Sequence, residues 1–206
     1  MSRLSDDEMK GKYGSALGVY ANNDEKFDVT LFQTPCKEPL CCCASGLLIC
    51  PVSIYMRHKV LNHVNPGSGW SDYKCCQEKF GGCCCFKPGH MGESTCPCPC
   101  MCLEATCCIG PAVSATSMVI RDKYYLGLDE SDVRLIRCNN CLFCLATICS
   151  CIAMFTNNED IDAASSIISC ISDVVFCCTS GCMTAQVNRE MKKRGTTEPG
   201  SQMMDR

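Results

Sequence analysis

The sequence predicts a mainly α fold: a helical hairpin or bundle joined to a cysteine-rich, loop-built metal-binding module. Three observations predict it. Cysteine supplies 25 of the 206 residues and crowds a Gly/Pro-rich middle that is poor material for long helices or strands. Apolar residues on both sides of that middle recur at helical spacing. Capping and turn-forming residues punctuate these stretches where helices should begin and end.

Residues 1–35 read as a polar, largely extended arm with a short helix over Ser5–Tyr13, where Ser5 and the acidic residues after it suit a helix N-terminus. Residues 36–64 form a cysteine-rich helix element. Cys36 and Cys41-Cys42-Cys43 lead into an apolar run, and Pro51 suits the first turn of a helix over 51–63. Asn65-Pro66-Gly67-Ser68-Gly69 ends it. Residues 65–110 make the cysteine-rich loop module, in which Pro97 and Pro99 alternate with Cys96, Cys98 and Cys100 and predict an extended run over 96–102.

Residues 111–195 form a helical region. Helices are expected over Ala112–Tyr125, over Ser131–Phe155 with Ser131 as cap, and from Asp162 to Arg194 with basic final turns and Gly195 just beyond. Asn157-Asn158-Glu159-Asp160 separates the last two. Residues 196–206 read as a disordered tail.

The length suits one domain with a loop-rich module. A formal charge of −3 argues against a nucleic-acid partner, and Lys192-Lys193-Arg194 is the only dense basic run. The opening Met1–Lys10 is charged where a secretory leader needs an apolar core, which predicts a cytoplasmic protein with reduced thiols. An odd cysteine total cannot pair completely within one chain.

A membrane span has partial support. Cys141–Phe155 would be about 22 Å long as a helix against a hydrocarbon core of roughly 30 Å. Ala163–Ala185 is longer but carries Asp173 and many hydroxyls. A soluble or peripheral hairpin is the expectation, in contact with a membrane on its cytosolic face; S-acylated cysteines at helix ends would provide an anchor.

Crowded thiols in a reducing compartment point to metal. Zinc binds thiolates at about 2.3 Å in tetrahedral sites, and closely spaced pairs on a loop can turn several sulfurs toward one ion. The candidate ligands are Cys75, Cys76, Cys83, Cys84, Cys85, Cys96, Cys98, Cys100, Cys102, Cys107 and Cys108, with His90 able to replace one sulfur. Zinc is the expected ion; copper(I) would suit the same sulfurs. Cys138, Cys141, Cys144, Cys149 and Cys151 are expected instead to pack as small hydrophobes in a helical core.

No enzyme is expected. His58, His63 and His90 form no recognisable nucleophile–base–orienter pattern. Cys138-Asn-Asn-Cys141 has redox-motif spacing but no strand before it, and phosphate-loop and dinucleotide fingerprints are missing.

The closing stretch, Asp173-Val-Val-Phe-Cys177-Cys178-Thr-Ser-Gly-Cys182-Met-Thr-Ala-Gln186-Val-Asn-Arg189-Glu190-Met191-Lys192-Lys193-Arg194-Gly195, resembles the closing motif of the placenta-specific-8 family, which includes plant cadmium-resistance and fruit-weight proteins. That family's opening element, paired cysteines followed by Cys-Pro-Cys, is approximated by Cys42, Cys43, Cys50 and Pro51, with Val52 replacing the last cysteine. The interior, especially Ala112-Val-Ser-Ala-Thr and Arg134-Leu-Ile-Arg-Cys-Asn-Asn-Cys-Leu, is similar to cysteine-rich proteins of algae and protists. The resemblance implies membranes, oligomers, heavy-metal tolerance and control of cell number; it implies no enzymatic activity.

Two readings follow. The first is a non-enzymatic, zinc-binding structural or interaction protein that forms homo-oligomers or joins a larger assembly. The second is a membrane oligomer that moves divalent metal, with Ser150, Ser169, Ser172 and Asp173 as lumen candidates.

Overall fold

The computed structural model describes residues 15–80, 90, 92–156 and 159–195. The expected helix over Ser5–Tyr13 and the tail 196–206 lie outside them. The described residues are mainly helical. In order they form α1 (Ser15–Gly18), α2 (Thr34–Lys37), α3 (Pro39–Leu47), α4 (Ile49–Val64), a 3-10 turn at Cys75–Glu78, α5 (Pro97–Cys107), α6 (Ile109–Tyr124), α7 (Glu130–Thr156) and α8 (Glu159–Gly195). The β structure among them is one isolated bridge between Glu25 and Leu126.

Two bent helix pairs share one construction. α3 turns into α4 through 120°, and α5 turns into α6 through 118°. The breaks fall at Leu48 and Cys108, whose backbones leave the helical region. Proline explains both positions. Pro51 and Pro111 each stand third in the second helix of a pair, where a missing N–H costs nothing inside that helix. The same ring cannot coexist with a continuous helix, because it would clash with the carbonyl four residues back, that of Leu47 or Cys107.

Proline also corrects the extended run expected over 96–102. Pro97 and Pro99 occupy the first turn of α5, where proline is tolerated, so Cys98–Cys107 is helical. Cys98 and Cys102 share an exposed face, and Cys100 turns partly inward.

The head of the molecule is built where α4, α6 and the C-terminal half of α8 meet. Met56, Val60, Ile120, Leu126, Val187 and Met191 form its main apolar cluster. Leu61, Tyr73, Met101 and Ala105 form a second beneath α5. Each large apolar side chain fully removed from water contributes about 1.5–3 kcal/mol. The arm is tied to the end of α8 by charge. Asp28 meets Arg189 and Lys193, Glu38 meets Lys192, and Glu25 meets Arg194. The basic run near the C-terminus is therefore engaged within the fold.

α7 and α8 form an antiparallel hairpin. Its register is fixed at one end by Gln186, which donates to Asp132 at 2.9 Å. Along the seam it is fixed by the Ser150 hydroxyl, 3.2 Å from that of Ser165 and 3.4 Å from that of Ser169. Asp129, rather than Ser131, caps α7: its carboxylate accepts the Ser131 N–H at 3.0 Å and the Ser131 hydroxyl at 2.5 Å. Those bonds and the charge of Lys26 hold the Asp129 carboxyl below its usual range, against the opposing effect of burial.

The outer part of the hairpin overturns two expectations. Cys138, Cys141, Cys144 and Cys151 are exposed and Cys149 half-buried, so they do not pack a core. Phe143, Ile148, Met154, Phe155, Ile167 and Val174 are exposed with them. Second, the apolar run Cys141–Phe155 understates the helix that contains it. α7 has 27 residues and α8 has 37, and both are long and apolar enough to cross a membrane.

Candidate metal centre

The 3-10 turn presents two adjacent buried cysteines on unusual backbone. Cys76, Gln77 and Glu78 have φ of 46°, 49° and 56°, the left-handed region that side-chain-bearing residues seldom enter. Three such residues in a row persist only where surrounding contacts hold them. Here two carboxylates and one amide side chain supply the contacts. Glu104 on α5 accepts the Cys76 N–H at 2.8 Å, Glu93 accepts the Cys75 N–H at 3.2 Å, and the Gln77 side chain accepts the Lys74 N–H at 2.8 Å.

This turn brings the sulfurs of Cys75 and Cys76 and a carboxylate oxygen of Glu104 to within 4.8 Å of one another, all three residues buried. Glu104 is itself positioned on every side. One oxygen accepts from Arg57 Nη2 at 2.9 Å, and the other from the Tyr73 hydroxyl at 2.8 Å and from Cys76. Arg57 is anchored in turn by the Thr116 hydroxyl at 2.9 Å and the Ala112 carbonyl at 2.7 Å. A carboxylate has about four lone-pair directions, and three are taken, which leaves room for one further contact.

Electrostatics keep these thiols protonated in the metal-free state. Burial, then the negative charge of Glu104, pushes the Cys75 thiol up to about 11 and Cys76 higher still. Tyr73 moves the same way, through burial and then Glu104. Such thiols are poor nucleophiles at neutral pH. A soft cation inverts the balance, because it replaces the thiol protons and is attracted by the carboxylate that opposed ionisation.

More sulfur adjoins the cluster. A cavity of about 220 Å³ opens beside it, lined by Cys75, Glu93, Cys100, Leu103, Glu104, Cys107 and Cys108. Zinc in a structural site takes four ligands, and the two sulfurs of the turn, the Glu104 carboxylate and one sulfur from this wall would supply that number.

The sequence-predicted ligands divide accordingly. Cys75, Cys76, Cys100, Cys107 and Cys108 border one site. Cys96, Cys98 and Cys102 are exposed, and none of them lines the cavity. His90 is exposed and is not part of the converging group. Cys83, Cys84 and Cys85 lie outside the described residues. Sequence reasoning missed Glu104 and Glu93. An isolated acid inside the otherwise apolar α5 was the available signal for Glu104, since such a residue needs a buried cation such as Arg57.

The lumen candidates are mostly spent inside the hairpin: Ser150 and Ser169 bond across its seam and Ser172 is buried, while Asp173 is exposed. Two of the three histidines are engaged in the head. His63 meets the Tyr124 hydroxyl at 2.5 Å, and His58 packs against Trp70. α3 and the C-terminal half of α8 lie side by side. The Cys42 and Cys182 sulfurs are 3.4 Å apart, and Gly181 faces the backbone of Cys42 and Gly46.

The chain matches no protein-family model, no curated protein and no solved structure.

Proposed function

We propose that this chain is a non-enzymatic, membrane-inserted scaffold whose head holds a zinc ion at Cys75, Cys76 and Glu104. The observation that carries the reading is the protruding hairpin. The α3–α4 bend lies at the level of Cys177 on α8, since Gly46 packs against the Cys177 carbonyl, and the α5–α6 bend lies at the level of Phe176, which Gly110 touches. Beyond that plane α7 and α8 continue together with apolar side chains outward. Leu47 and Leu48, exposed at the α3–α4 bend, form an apolar collar at its base.

Dimensions support insertion. From Cys138 to Thr156 is about 28 Å at 1.5 Å per residue, and from Asp162 to Cys178 about 25 Å, against a hydrocarbon core of roughly 30 Å. The charges flank these stretches in a consistent sense. Arg134 and Arg137 precede the first, Arg189, Lys192, Lys193 and Arg194 follow the second, and residues 157–162 between them hold Glu159, Asp160 and Asp162 without Lys or Arg. Cytosolic flanks carry the excess of Lys and Arg, so the head faces the cytosol and the acidic tip the opposite side.

The metal half of the proposal rests on the converged thiols, the strained turn that presents them and the sulfur-lined cavity beside them. It is tested by native mass spectrometry of the detergent-purified full-length protein. One zinc should be retained and should be lost from a Cys75→Ser/Cys76→Ser variant; a metal-free wild type, or a variant that keeps the ion, refutes it.

A further inference from the structure

Four exposed thiols from three helices fall at one level of the molecule. Cys138 and Cys141 flank Asn139 and Asn140, which line a cavity together with Thr179 and Ser180, the neighbours of Cys178. On α3, Cys43 stands between Cys42, whose sulfur meets that of Cys182, and Gly46, which packs on Cys177. Cys43, Cys138, Cys141 and Cys178 are all free and exposed. Along the helix axes they occupy a slab about 6 Å deep.

The surroundings of that slab change sharply along the hairpin axis. On its head side stand Arg134 and Arg137; on its tip side Phe143, Leu145 and Ile148 are exposed. On the membrane-inserted reading, this is the cytosolic boundary of the hydrocarbon, where a thiol is still wet while a chain attached to it would enter lipid directly.

We propose that Cys43, Cys138, Cys141 and Cys178 are sites of S-acylation by long-chain fatty acyl groups. The donor is a long-chain acyl-coenzyme A thioester. The cysteine sulfur forms a new thioester bond to the acyl carbonyl carbon, the bond from that carbon to the coenzyme A sulfur breaks, and the cysteine proton passes to the departing sulfur. No oxidant or reductant is consumed. Position distinguishes these four from Cys144, Cys149, Cys151 and Cys170, which lie farther along the hairpin toward its tip, out of reach of a water-borne donor. One acyl chain holds a protein to a membrane only marginally and reversibly, whereas two or more chains would lock the collar to the bilayer surface.

The test is acyl exchange on the full-length protein made in eukaryotic cells: free thiols are blocked, thioesters are cleaved with hydroxylamine, and the released thiols receive a polymer mass tag. Up to four hydroxylamine-dependent tags are expected on the wild type. They should vanish in the Cys43→Ser/Cys138→Ser/Cys141→Ser/Cys178→Ser variant and persist when Cys144, Cys149, Cys151 and Cys170 are replaced by serine instead. A wild type without hydroxylamine-dependent tags, or a first variant that retains them, overturns the proposal. Its failure is separable from failure of the membrane reading: alkaline extraction after hydroxylamine treatment reports on the hairpin alone, since the acyl chains have then been removed.

Discussion

Arg57 and Glu104 form an ion pair at 2.9 Å with neither side chain exposed to solvent. It joins α4 to α5 and orients the carboxylate that faces Cys75 and Cys76. Taking two charges out of water is costly, and Thr116, Ala112, Tyr73 and Cys76 satisfy most of the pair's remaining hydrogen-bonding groups, while Arg57 Nη1 is buried with no hydrogen-bond partner among the described residues.

Removal of one partner should therefore be far worse than loss of a surface bridge. Arg57→Met leaves Glu104 buried and unpaired, with an expected cost of about 3–5 kcal/mol. Arg134→Met, which breaks an exposed bridge to Glu130, should cost under about 1 kcal/mol. Denaturant unfolding of both variants in detergent checks the contrast, and equal midpoints would contradict it.

The crossing of α3 over α8 depends on Gly181. A Cβ there would lie 2.6 Å from the Cys42 carbonyl oxygen and 3.0 Å from the Gly46 nitrogen, both backbone atoms with no flexible end to yield. Gly181→Ala should push α3 away at a cost of about 1–3 kcal/mol. Faster maleimide labelling of Cys42 and Cys182 is the readout; unchanged labelling would mean that the helices are not in close contact.

Zinc affinity should rise with pH. The Cys75 thiol is held up to about 11 and Cys76 higher, so both are protonated across the neutral range and an ion must displace their protons. Release of two protons per ion gives a gain of about 100-fold per pH unit at most. Competition against a chromophoric chelator at several pH values measures the slope, and a flat profile would remove these thiols from the ligand set.

Asp173 lies mid-way along the apolar stretch of α8 and is exposed. A carboxylate facing lipid costs about 2.5–3.5 kcal/mol by insertion scales, and a second copy of the chain covering it would relieve that cost. Asp173→Leu is therefore expected to reduce the cross-linked oligomer fraction in membranes while the protein remains inserted. An unchanged distribution of oligomers would exclude this face from self-association.

The helices were legible where local signals agree with tertiary structure. Helical periodicity places α4, α6 and α8 to within a few residues, because each buries one face in the head. The bends are encoded in parallel by Ile49-Cys50-Pro51 and Ile109-Gly110-Pro111, but helical periodicity is blind to them: Pro51 as a helix start and Pro51 as a block on the Leu47 carbonyl have the same sequence. Pro97 and Pro99 misled in the opposite sense, since proline at a first turn and proline in an extended run look alike in sequence. For the site, cysteine crowding identified the right segment but not which sulfurs converge. That choice is made by Glu104, Glu93 and the left-handed turn, which depend on contacts from α4 and α5 that spacing does not reveal. The helical cysteines were misplaced because a buried core and an exposed apolar helix face have the same composition.

Alkaline carbonate extraction of membranes from cells that express the full-length chain tests membrane insertion most directly. The α7–α8 hairpin predicts that the protein stays in the membrane pellet, including after hydroxylamine has removed any acyl chains. Release of the intact protein into the carbonate supernatant would contradict the account.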